Sequence, residues 1–282
     1  MTKKILAAAL TSVMTLVLFA SCGSNEKKLE LKTAEPNFGD DFYVVGFRKG
    51  ENALCSKIES AIKTLVENGK AKDISEKWFG KNIVVFDKDA GDEADQDGTY
   101  KSWEDIKAKG EIVVGLDDTF APMGFRNESN ELVGFDVDMA NAVGEILGVK
   151  MSLTPIDWKA KETALKEKRV DCLWNGLSRT PEREDEMTLS ANYLNNRLVI
   201  MGNDADKIKT LEDLKNYKIG IQQASSALEV LQKNPVYETV KNNVTEYKTY
   251  DEVINDMKTG RIDVMIVDEV LGNYKASKLA EK

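Results

Sequence analysis

The chain of 282 residues contains no histidine. This absence excludes Ser-His-Asp triads, zinc sites with histidine ligands and acid–base catalysis by histidine. The three cysteines, Cys22, Cys55 and Cys172, form no CxxC pair, which excludes a zinc knuckle and a thioredoxin-like site. No GxxxxGK[ST] or GxGxxG motif follows an apolar run, so the sequence offers no loop that would cradle a phosphate.

Basic charge is scarce as well, because 39 lysines and arginines stand against 48 aspartates and glutamates, for a formal net charge of −9. A nucleic-acid partner needs a basic surface, so we expect none. No residue pattern indicates a metal or another cofactor, and we predict none. The length is sufficient for two modest lobes or for one large domain.

The amino terminus carries a secretion signal. A basic region at residues 3–4 precedes an apolar run over residues 5–20, which is short for a spanning helix and lacks a stop-transfer flank. Small residues at 20–21, directly before Cys22, resemble a bacterial lipobox, which implies that Cys22 becomes the lipid-modified first residue of the mature protein. We therefore expect a protein outside the cytoplasm that the lipid attaches to the cell membrane. An uncleaved anchor is the alternative.

From Leu29 onward, β-branched runs alternate with helical periods. The predicted strands cover residues 42–47, 111–116, 151–155, 170–174, 197–201, 218–221 and 263–267. The predicted helices cover residues 52–68, 72–79, 102–109, 136–147, 160–168, 181–187, 210–216, 225–232, 250–258 and 269–280. This alternation favours an α/β fold with largely parallel sheets. Ligands bind at the carboxyl ends of such strands, which makes Asp117, Gly176, Gln222 and Asp268 candidates.

Several stretches of the sequence resemble one protein family. They read GLDDTFAPMGF with GFDVDMANAVGEILG, DCLWNGLSRTPERE with SANYL, IGIQQASSA, RIDVMIVD, and FYVVGFRKG with IESAIKTLVENGKAKDISEKWFG. Together they look like the bacterial extracellular solute-binding proteins of family 3, which bind polar amino acids. The resemblance covers nearly all of the chain after the signal.

The resemblance implies a two-lobed fold like that of type II periplasmic binding proteins. Each lobe would be a mostly parallel sheet flanked by helices, and two strands would form the hinge. It also implies a monomeric receptor, not an enzyme, that binds a polar amino acid and delivers it to the permease subunits of an ABC-type importer. A dehydratase-like enzyme on the same scaffold and a sensor lobe for a signalling partner are the alternatives.

The order of the motifs departs from the family. The KWFG motif normally closes such a chain, but here it lies at residues 77–80, ahead of the other motifs. Each motif occurs once, which indicates a circular permutation rather than a duplication. The expected parts are the signal and lipobox cysteine (1–22), a tether with a strand of the second lobe (23–38), a hinge strand with the closing part of the first lobe (39–86), a flexible linker (87–98), the opening part of the first lobe (99–197) and the second lobe (198–282). Exchange of residues 27–86 between two molecules, which would give a swapped dimer, is the alternative.

The resemblance further implies how an amino acid would be held. Arg183 corresponds to the arginine that clamps the α-carboxylate, and Asp268 to the acid that accepts the α-ammonium. Gly176 and Ser178 would hold the ligand through backbone groups and a hydroxyl. The pair Ser225–Ser226 opens a helix whose free amides favour an anion, although helix capping explains this pair nearly as well.

Other matching positions would contact the side chain of the ligand. Phe120 and Trp158 correspond to positions that stack apolar or aromatic groups over it. Asp117 lies where members that bind amide or basic side chains often carry an acid, and Gln222 adds a polar contact. These residues favour a basic or amide ligand. Arg179 stands where the family has an aliphatic residue, and an Arg179 that faced the cleft would instead favour an acidic ligand.

The two cysteines after the signal leave one question open. Cys55 lies on the predicted helix 52–68 and Cys172 on the predicted strand 170–174. Two free thiols are the simplest interpretation. A Cys55–Cys172 disulfide, which a location outside the cytoplasm allows, is the alternative.

Overall fold

The computed structural model describes residues 29–86, 88, 93–95 and 101–281. The predicted signal peptide at 1–22, including Cys22, lies outside the described residues. So do the tether up to residue 28 and most of the linker predicted at 87–98. Within the described part, no helix is both long enough and apolar enough to cross a membrane.

Twelve β-strands and ten α-helices follow one another along the described residues, in the alternation that the sequence predicts. The strands are β1 (Lys32–Arg48), β2 (Glu111–Leu116), β3 (Thr119–Phe120), β4 (Gly124–Arg126), β5 (Leu132–Val133), β6 (Lys150–Pro155), β7 (Cys172–Ser178), β8 (Met187–Leu189), β9 (Leu194–Gly202), β10 (Ile219–Gln222), β11 (Val244–Tyr247) and β12 (Val264–Asp268). The helices are α1 (Asn52–Glu67), α2 (Lys70–Phe79), α3 (Ser102–Lys109), α4 (Phe135–Leu147), α5 (Lys161–Lys166), α6 (Pro181–Glu186), α7 (Ser226–Lys233), α8 (Tyr237–Val240), α9 (Tyr250–Lys258) and α10 (Glu269–Ala280).

The elements β3, β4, β5, β8, β11 and α8 were not predicted, and several predicted elements differ from the structure in type or extent. The segment predicted as a helix at 210–216 is a 3-10 helix, Leu211–Asn216, the tighter form that short connectors often adopt. The strand predicted to end at residue 267 also includes Asp268, because Asp268 pairs with Leu198 of β9. The side chain of Asp268 does not cap α10, the helix that follows, and so it remains available for other contacts.

Nine strands form one mixed sheet in the order β11-β10-β12-β9-β1-β7-β2-β6, with β8 beside β1. β10 is parallel to β11 and β12 on one side, and β2 is parallel to β6 and β7 on the other. Between these two parallel groups lie β9 and β1, which run antiparallel to each other and to their outer neighbours. The expectation of largely parallel sheets is therefore confirmed on both sides of an antiparallel centre.

β1 and β9, called the crossover strands below, connect the two parallel groups. β1 pairs with β9 from Lys32, opposite Gly202, to Tyr43, opposite Leu194, and its later residues pair with β7. The sequence predicts separate strands near residues 29–31 and 42–47, but the structure has one strand of 17 residues. The prediction is wrong because irregular register around Asn37 bends the strand without ending its pairing.

The segment that precedes the linker packs into the same core as the rest of the chain. Leu54 and Ile58 of α1 are completely buried, at the spacing of one helix face. Trp78 of α2 donates its indole N–H to Asp138 of α4 at 2.8 Å. Together with the central place of β1 in the sheet, these contacts make residues 29–86 an integral part of the fold.

Described residues of the predicted linker contact the rest of the protein, and the side chains of Asp95 and Lys88 do so through polar groups. The Asp95 carboxylate accepts hydrogen bonds from the amides of Ala53 and Ser102 at 2.9 and 2.8 Å, and so joins the starts of α1 and α3. The Lys88 ammonium lies 2.7 Å from the buried carboxylate of Glu59. At these two positions the segment is held by polar contacts.

Cys55 and Cys172 are both buried and both free. Burial is the main cause that raises the pKa of each thiol far above its usual range, so neither forms a thiolate readily. The alternative of a Cys55–Cys172 disulfide is wrong, because both cysteines are free in the structure, and the two residues act as small apolar side chains of the core.

Candidate ligand site

Several predicted site residues lie at the ends of strands and meet at the centre of the sheet. Asp117 directly follows β2, and Ser178 ends β7, in one parallel group. Gln222 ends β10, and Asp268 ends β12, in the other. Gln222 Nε2 donates to Asp117 Oδ2 at 2.8 Å, so the two groups of strands come into contact here. Both carboxyl ends therefore contribute to one site, as expected for open α/β sheets.

A cluster of buried polar residues lies on the crossover strands. Asp41 of β1 is directly opposite Asn196 of β9, and Tyr43 follows Asp41 on the same face of β1. Asn196 donates from its single nitrogen Nδ2 to Asp41 Oδ2 at 2.8 Å and to Asp268 Oδ1 at 2.7 Å. The Tyr43 hydroxyl donates to Asp268 Oδ1 at 2.8 Å. One amide group thus holds two carboxylates side by side.

Both carboxylates of this cluster resist ionisation. The pKa of Asp268 is raised to about 7, first by burial and then by the charge of Asp41. Burial also raises the pKa of Asp41, while hydrogen bonds from Asn196 and Ser178 and the charge of Arg183 oppose the shift. A cation bound here would stabilise the ionised forms. Among the described residues, no group of three or more His, Cys, Asp or Glu side chains is arranged to hold a metal ion.

Arg183 is held beside the cluster by helix α6. The hydroxyl of Thr180 caps this helix, and Pro181 occupies its first turn. The guanidinium donates from Nη1 to the carbonyl of Ser178 at 2.7 Å, and its Nη2 lies 3.4 Å from Glu229 Oε1. Its Nε is buried and has no hydrogen-bond partner among the described residues. The Nε–Nη2 edge, one of the forks by which arginine binds a carboxylate, is therefore largely unused.

Ser178 and Ser226 link the two parallel groups. The Ser178 hydroxyl donates to Asp41 Oδ2 at 2.8 Å, so Ser226 is the donor in the Ser178–Ser226 hydrogen bond, also 2.8 Å long. Ser225 behaves differently, because its hydroxyl caps α7 and donates to the carbonyl of Gln222. Of the two serines at the start of α7, Ser226 is the one whose side chain enters the site.

Gly176 allows Phe120 to pack closely over the backbone of β7. Gly176 has a φ of +58°, and a Cβ there would lie 2.9 Å from the Phe120 ring and 3.2 Å from the Tyr43 ring. Its amide donates to the buried carboxylate of Asp136 at 2.8 Å. On its other side, Phe120 approaches the Tyr250 ring, with 6.4 Å between ring centroids. Any larger residue at 176 would push these rings apart.

Asp117 and Asp118 face different ways. Thr119 donates to Asp117 Oδ1 from its amide at 2.9 Å and from its hydroxyl at 2.6 Å, which leaves Oδ2 for Gln222. Burial raises the pKa of Asp117 against these hydrogen bonds. Asp118 instead pairs with the exposed Arg126 at 2.7 Å. Of these two neighbouring acids, only Asp117 therefore contributes its carboxylate to the site.

Lys161 forms another bridge between the two parallel groups. Its ammonium donates to the carbonyl of Ala224 at 2.9 Å and pairs with Glu162 at 2.9 Å. It also lies 5.3 Å from the centre of the Trp158 ring, which is nearly buried. Burial is the main cause that lowers the pKa of Lys161, followed by repulsion from Arg183. Lys161 and Trp158 thus close one side of the site.

Arg179 lies outside this site. Its guanidinium donates to Asn192 at 2.8 Å, to Glu184 at 2.6 Å and to the carbonyl of Ser190. These contacts hold the side chain against the β8–β9 connection. The position of Arg179 therefore gives no support to the alternative that the site binds an acidic ligand.

Residues 112–263, more than half of the chain, match the family profile of the bacterial extracellular solute-binding proteins, family 3. The chain belongs to this family. The matched stretch includes Asp117, Arg183 and Gln222, whereas Asp41 and Asp268 lie on either side of it. The family assignment therefore rests on residues that include most, but not all, of the candidate site.

Named relatives are binding proteins for amino acids. The L-cystine-binding protein TcyJ of Escherichia coli (strain K12) is 32% identical over 171 residues, which are 58% of this chain and 61% of that protein. The lysine/arginine/ornithine-binding periplasmic protein of the same strain is 29% identical over 160 residues, 56% and 61% of the two chains. The match thus spans about 61% of these curated relatives.

A solved structure gives the same result for the fold. An ABC uptake transporter substrate binding protein from Streptococcus pneumoniae with bound histidine has a TM-score of 0.61 and 34% identity, over 64% of this chain and 74% of that one. The expected two-lobed, type II fold is confirmed. Below, the first lobe means β6, β2 and β7 with their helices, and the second lobe means β12, β10 and β11 with theirs.

Sequence reasoning missed four residues of the site: Asp41, Tyr43, Asn196 and Lys161. Asp41 and Asn196 are 155 positions apart and become neighbours only through strand pairing, whose register the sequence does not specify. Lys161 gave a weak signal, since it follows Trp158 at the start of a helix. A charged residue on a short helix is otherwise an ordinary surface residue.

Proposed function

We propose that this protein is an extracytoplasmic receptor that binds one amino acid between its lobes and delivers it to the permease subunits of an ABC-type importer. One observation carries the proposal: Arg183, with a largely unused edge, lies in the same buried site as the Asp41–Asp268 pair. An amino acid has the matching carboxylate and ammonium. Burying either charge without a partner costs several kcal/mol, so a site with both partners fits this ligand class.

The groups common to all amino acids are assigned to the centre of the site. Arg183 would bind the α-carboxylate through its Nε–Nη2 edge, and Asp268 would accept the α-ammonium. Gly176 and Ser178 would hold the ligand through the backbone of β7 and a hydroxyl. The free amides of Ser225 and Ser226 at the start of α7 would add donors for the carboxylate.

The side chain of the ligand would be read by Asp117 and Gln222, between walls formed by Phe120 and Trp158. Asp117 is a buried acid that a basic or amide group can pair with, and Gln222 already contacts it. We therefore propose a basic or amide side chain. Relatives named for lysine, arginine and ornithine and for histidine support this assignment.

Lobe closure would couple binding to delivery. The contacts Gln222–Asp117, Ser178–Ser226 and Lys161–Ala224 join the lobes and form only when they are together. A ligand that favours this closed arrangement would therefore present the permease with a surface made of both lobes. Binding and closure need no chemical step, and we propose no enzymatic activity.

We further propose that a lipid on Cys22 attaches the protein to the membrane and that the chain is circularly permuted. The motif order supports the permutation, as does the packing of β1, α1 and α2, which precede the matched stretch yet complete the sheet and core. The linker at 87–98 would then join the family's usual chain ends. The lipid would pull on the second lobe.

Limited proteolysis within residues 87–98 tests the permutation. Both fragments should stay associated and bind ligand, because β1 lies between β9 and β7. A remainder that folds and binds after loss of residues 23–86 would contradict it. The mass in dilute solution should be that of one chain, since twice that mass would indicate the swapped dimer.

Thermal unfolding of the protein without residues 1–22, with each of the twenty amino acids in turn, tests the function. A ligand present at 100 times its Kd adds about 2.7 kcal/mol, which corresponds to a rise of roughly 5–10 °C in Tm for a chain of this size. Basic or amide amino acids should give the largest rise. A flat response to all twenty would defeat the proposal.

A further inference from the structure

The position of Asp41 is not explained by a site in which Asp268 alone receives the ammonium. Asp41 Oδ2 and Asp268 Oδ1 accept hydrogen bonds from the same nitrogen of Asn196. The other donors are the Ser178 hydroxyl to Asp41 and the Tyr43 hydroxyl to Asp268. All these donors are neutral, so two buried acids share a setting that does not compensate two negative charges.

The charged and titratable groups around the Asp41–Asp268 pair lie on α6, β1, α9, β9 and α10. Arg183 on α6 is the cation that acts on Asp41, and its largely unused edge is assigned above to the α-carboxylate. Tyr43 on β1 and Tyr250 on α9 remain neutral, because burial and the nearby acids raise the pKa of each phenol. Arg197 on β9 pairs with Glu269 on α10 at the surface. Asp41 and Asp268 thus lack a strongly bound cation of their own.

We propose that Asp41 is a ligand-site residue and that it forms with Asp268 a two-acid subsite, which holds one proton without ligand and exchanges it for the α-ammonium of the bound amino acid. This inference rests on the proposed function, because it requires an amino acid in the site. It adds a second acid to the ammonium contact and makes binding dependent on pH.

The exchange balances in charge and atoms. Without a compensating cation, two adjacent buried carboxylates do not both ionise below the pKa of Asp268, about 7, so in that range the pair carries one negative charge and one proton. When the ammonium enters with its own three protons, the proton of the pair leaves to solvent. The pair then carries two negative charges and the ammonium one positive charge. The net charge of the subsite is the same before and after binding.

The pH dependence follows from this balance. Below the pKa of Asp268, about 7, binding should release about one proton, and Kd should rise about tenfold for each unit by which the pH falls. Above about pH 8 the pair is already ionised, so proton release should approach zero and Kd should become constant.

Isothermal titration calorimetry at pH 6 and pH 8, in buffers of different ionisation enthalpy, measures the protons released. The probe is L-arginine, or L-glutamine if arginine gives no thermal shift, because neither changes protonation between pH 5 and 8. The wild-type protein without residues 1–22 should release about one proton at pH 6. Asp41→Asn, whose amide oxygen can still accept from Asn196 and Ser178, should release less than half as much, and its Kd should vary less than threefold from pH 6 to 8.

Two control variants identify the source of the proton. Glu51→Gln replaces a buried acid far from the site whose pKa burial also raises, and it should keep the wild-type proton release. Asp136→Asn replaces the acid that accepts a hydrogen bond from the Gly176 amide, and this variant should also keep the wild-type proton release. Loss of release in Asp136→Asn but not in Asp41→Asn would overturn the inference, as would wild-type binding without proton release at pH 6. No binding heat at any pH would instead contradict the proposed function.

Discussion

The two ends of the candidate site are built in different ways. One, the crossover end, consists of residues on or directly beside the crossover strands: Asp41, Tyr43, Asn196 and Asp268. The other, the interlobe end, consists of pairs whose members come from different lobes: Asp117 with Gln222, and Lys161 with the carbonyl of Ala224. The first end is held by strand pairing, and the second by side chains that reach across a gap.

This difference assigns different tasks to the two ends. Backbone hydrogen bonds between β1 and β9 do not depend on contacts between the lobes, so in the proposed closure they would keep the crossover end in place in both arrangements. The interlobe end exists only in the closed arrangement. The groups common to every amino acid would therefore bind to the fixed end, and the variable side chain would be tested at the end that forms on closure.

The largest expected effect is at the carboxylate contact. Arg183→Met removes the guanidinium but keeps much of its volume, so the α-carboxylate would be buried without a partner. Binding of every responsive amino acid should weaken by at least about 100-fold, equivalent to about 3 kcal/mol, in calorimetric titrations. Arg179→Met, four residues earlier and outside the site, is the matched control and should keep Kd within about twofold. An Arg183→Met protein that binds within fivefold of wild type would contradict the assignment of Arg183 to the α-carboxylate.

Asp136 is a buried acid of the first lobe that belongs to neither end of the site, and it tests how burial of a carboxyl group affects stability. It accepts hydrogen bonds from the Gly176 amide at 2.8 Å and from the Tyr193 hydroxyl at 3.0 Å. Burial raises its pKa to about 7, so between about pH 4 and pH 7 the native state binds more protons than the unfolded state. Stability from this group is therefore greatest at low pH and falls as the pH rises to 7.

Asp136→Asn should abolish this pH dependence, because the amide oxygen still accepts both hydrogen bonds and carries no charge. Urea unfolding gives the free energy of unfolding of the variant and of wild type at each pH. The difference, variant minus wild type, should be roughly 2–3 kcal/mol larger at pH 8 than at pH 5. Asp105→Asn, an exposed acid on α3, is the control and should change stability equally at both pH values. An equal effect of Asp136→Asn at pH 5 and pH 8 would show that Asp136 is ionised in the native protein throughout this range.

The sequence predicts the interlobe end better than the crossover end. Asp117 and Gln222 follow apolar strand runs, and the carboxyl ends of such strands are where ligands bind. Arg183 was found because the stretch DCLWNGLSRTPERE resembles the solute-binding family, in which an arginine at this position binds the α-carboxylate. These signals are local, so a linear pattern is sufficient to detect them.

Asp268 of the crossover end was predicted, but Asp41, Tyr43 and Asn196 were missed because their position in the site depends on pairing between distant strands. Asp41 lies in a segment predicted as a hinge, and only the register that places it opposite Asn196 brings it beside Asp268. A shift of one residue would turn Asp41 to the other face of the sheet. The single strand β1 was missed for a related reason, since Pro36 and Gly39 are typical of a break, and only pairing with β9 carries the strand through them.

A substitution at the interlobe end should change which amino acid the protein prefers without abolishing binding. Asp117→Asn keeps the oxygen that accepts from Thr119 but replaces the one that accepts from Gln222 with an amide NH2, so the Gln222 amide must turn to offer its oxygen. Because the charge is also lost, basic amino acids should lose about tenfold in affinity, about 1.4 kcal/mol, relative to glutamine. Thermal shifts followed by calorimetry on the responsive amino acids measure this ratio. Asp118→Asn, which alters the neighbouring acid that faces Arg126, is the control. An unchanged ratio in Asp117→Asn would show that Asp117 does not select the ligand.

The smallest expected effect concerns closure alone. Lys161→Met removes the ammonium that bonds to the Ala224 carbonyl and leaves a carbonyl unpaired in the closed form, at a cost of about 1 kcal/mol. Every responsive amino acid should therefore bind about fivefold more weakly, in the same order of preference, because the open form loses nothing. Lys159→Met, on the exposed side of the same turn, should leave Kd unchanged. A change in the order of preference would show that Lys161 contacts the ligand and contributes to ligand selectivity rather than to lobe closure alone.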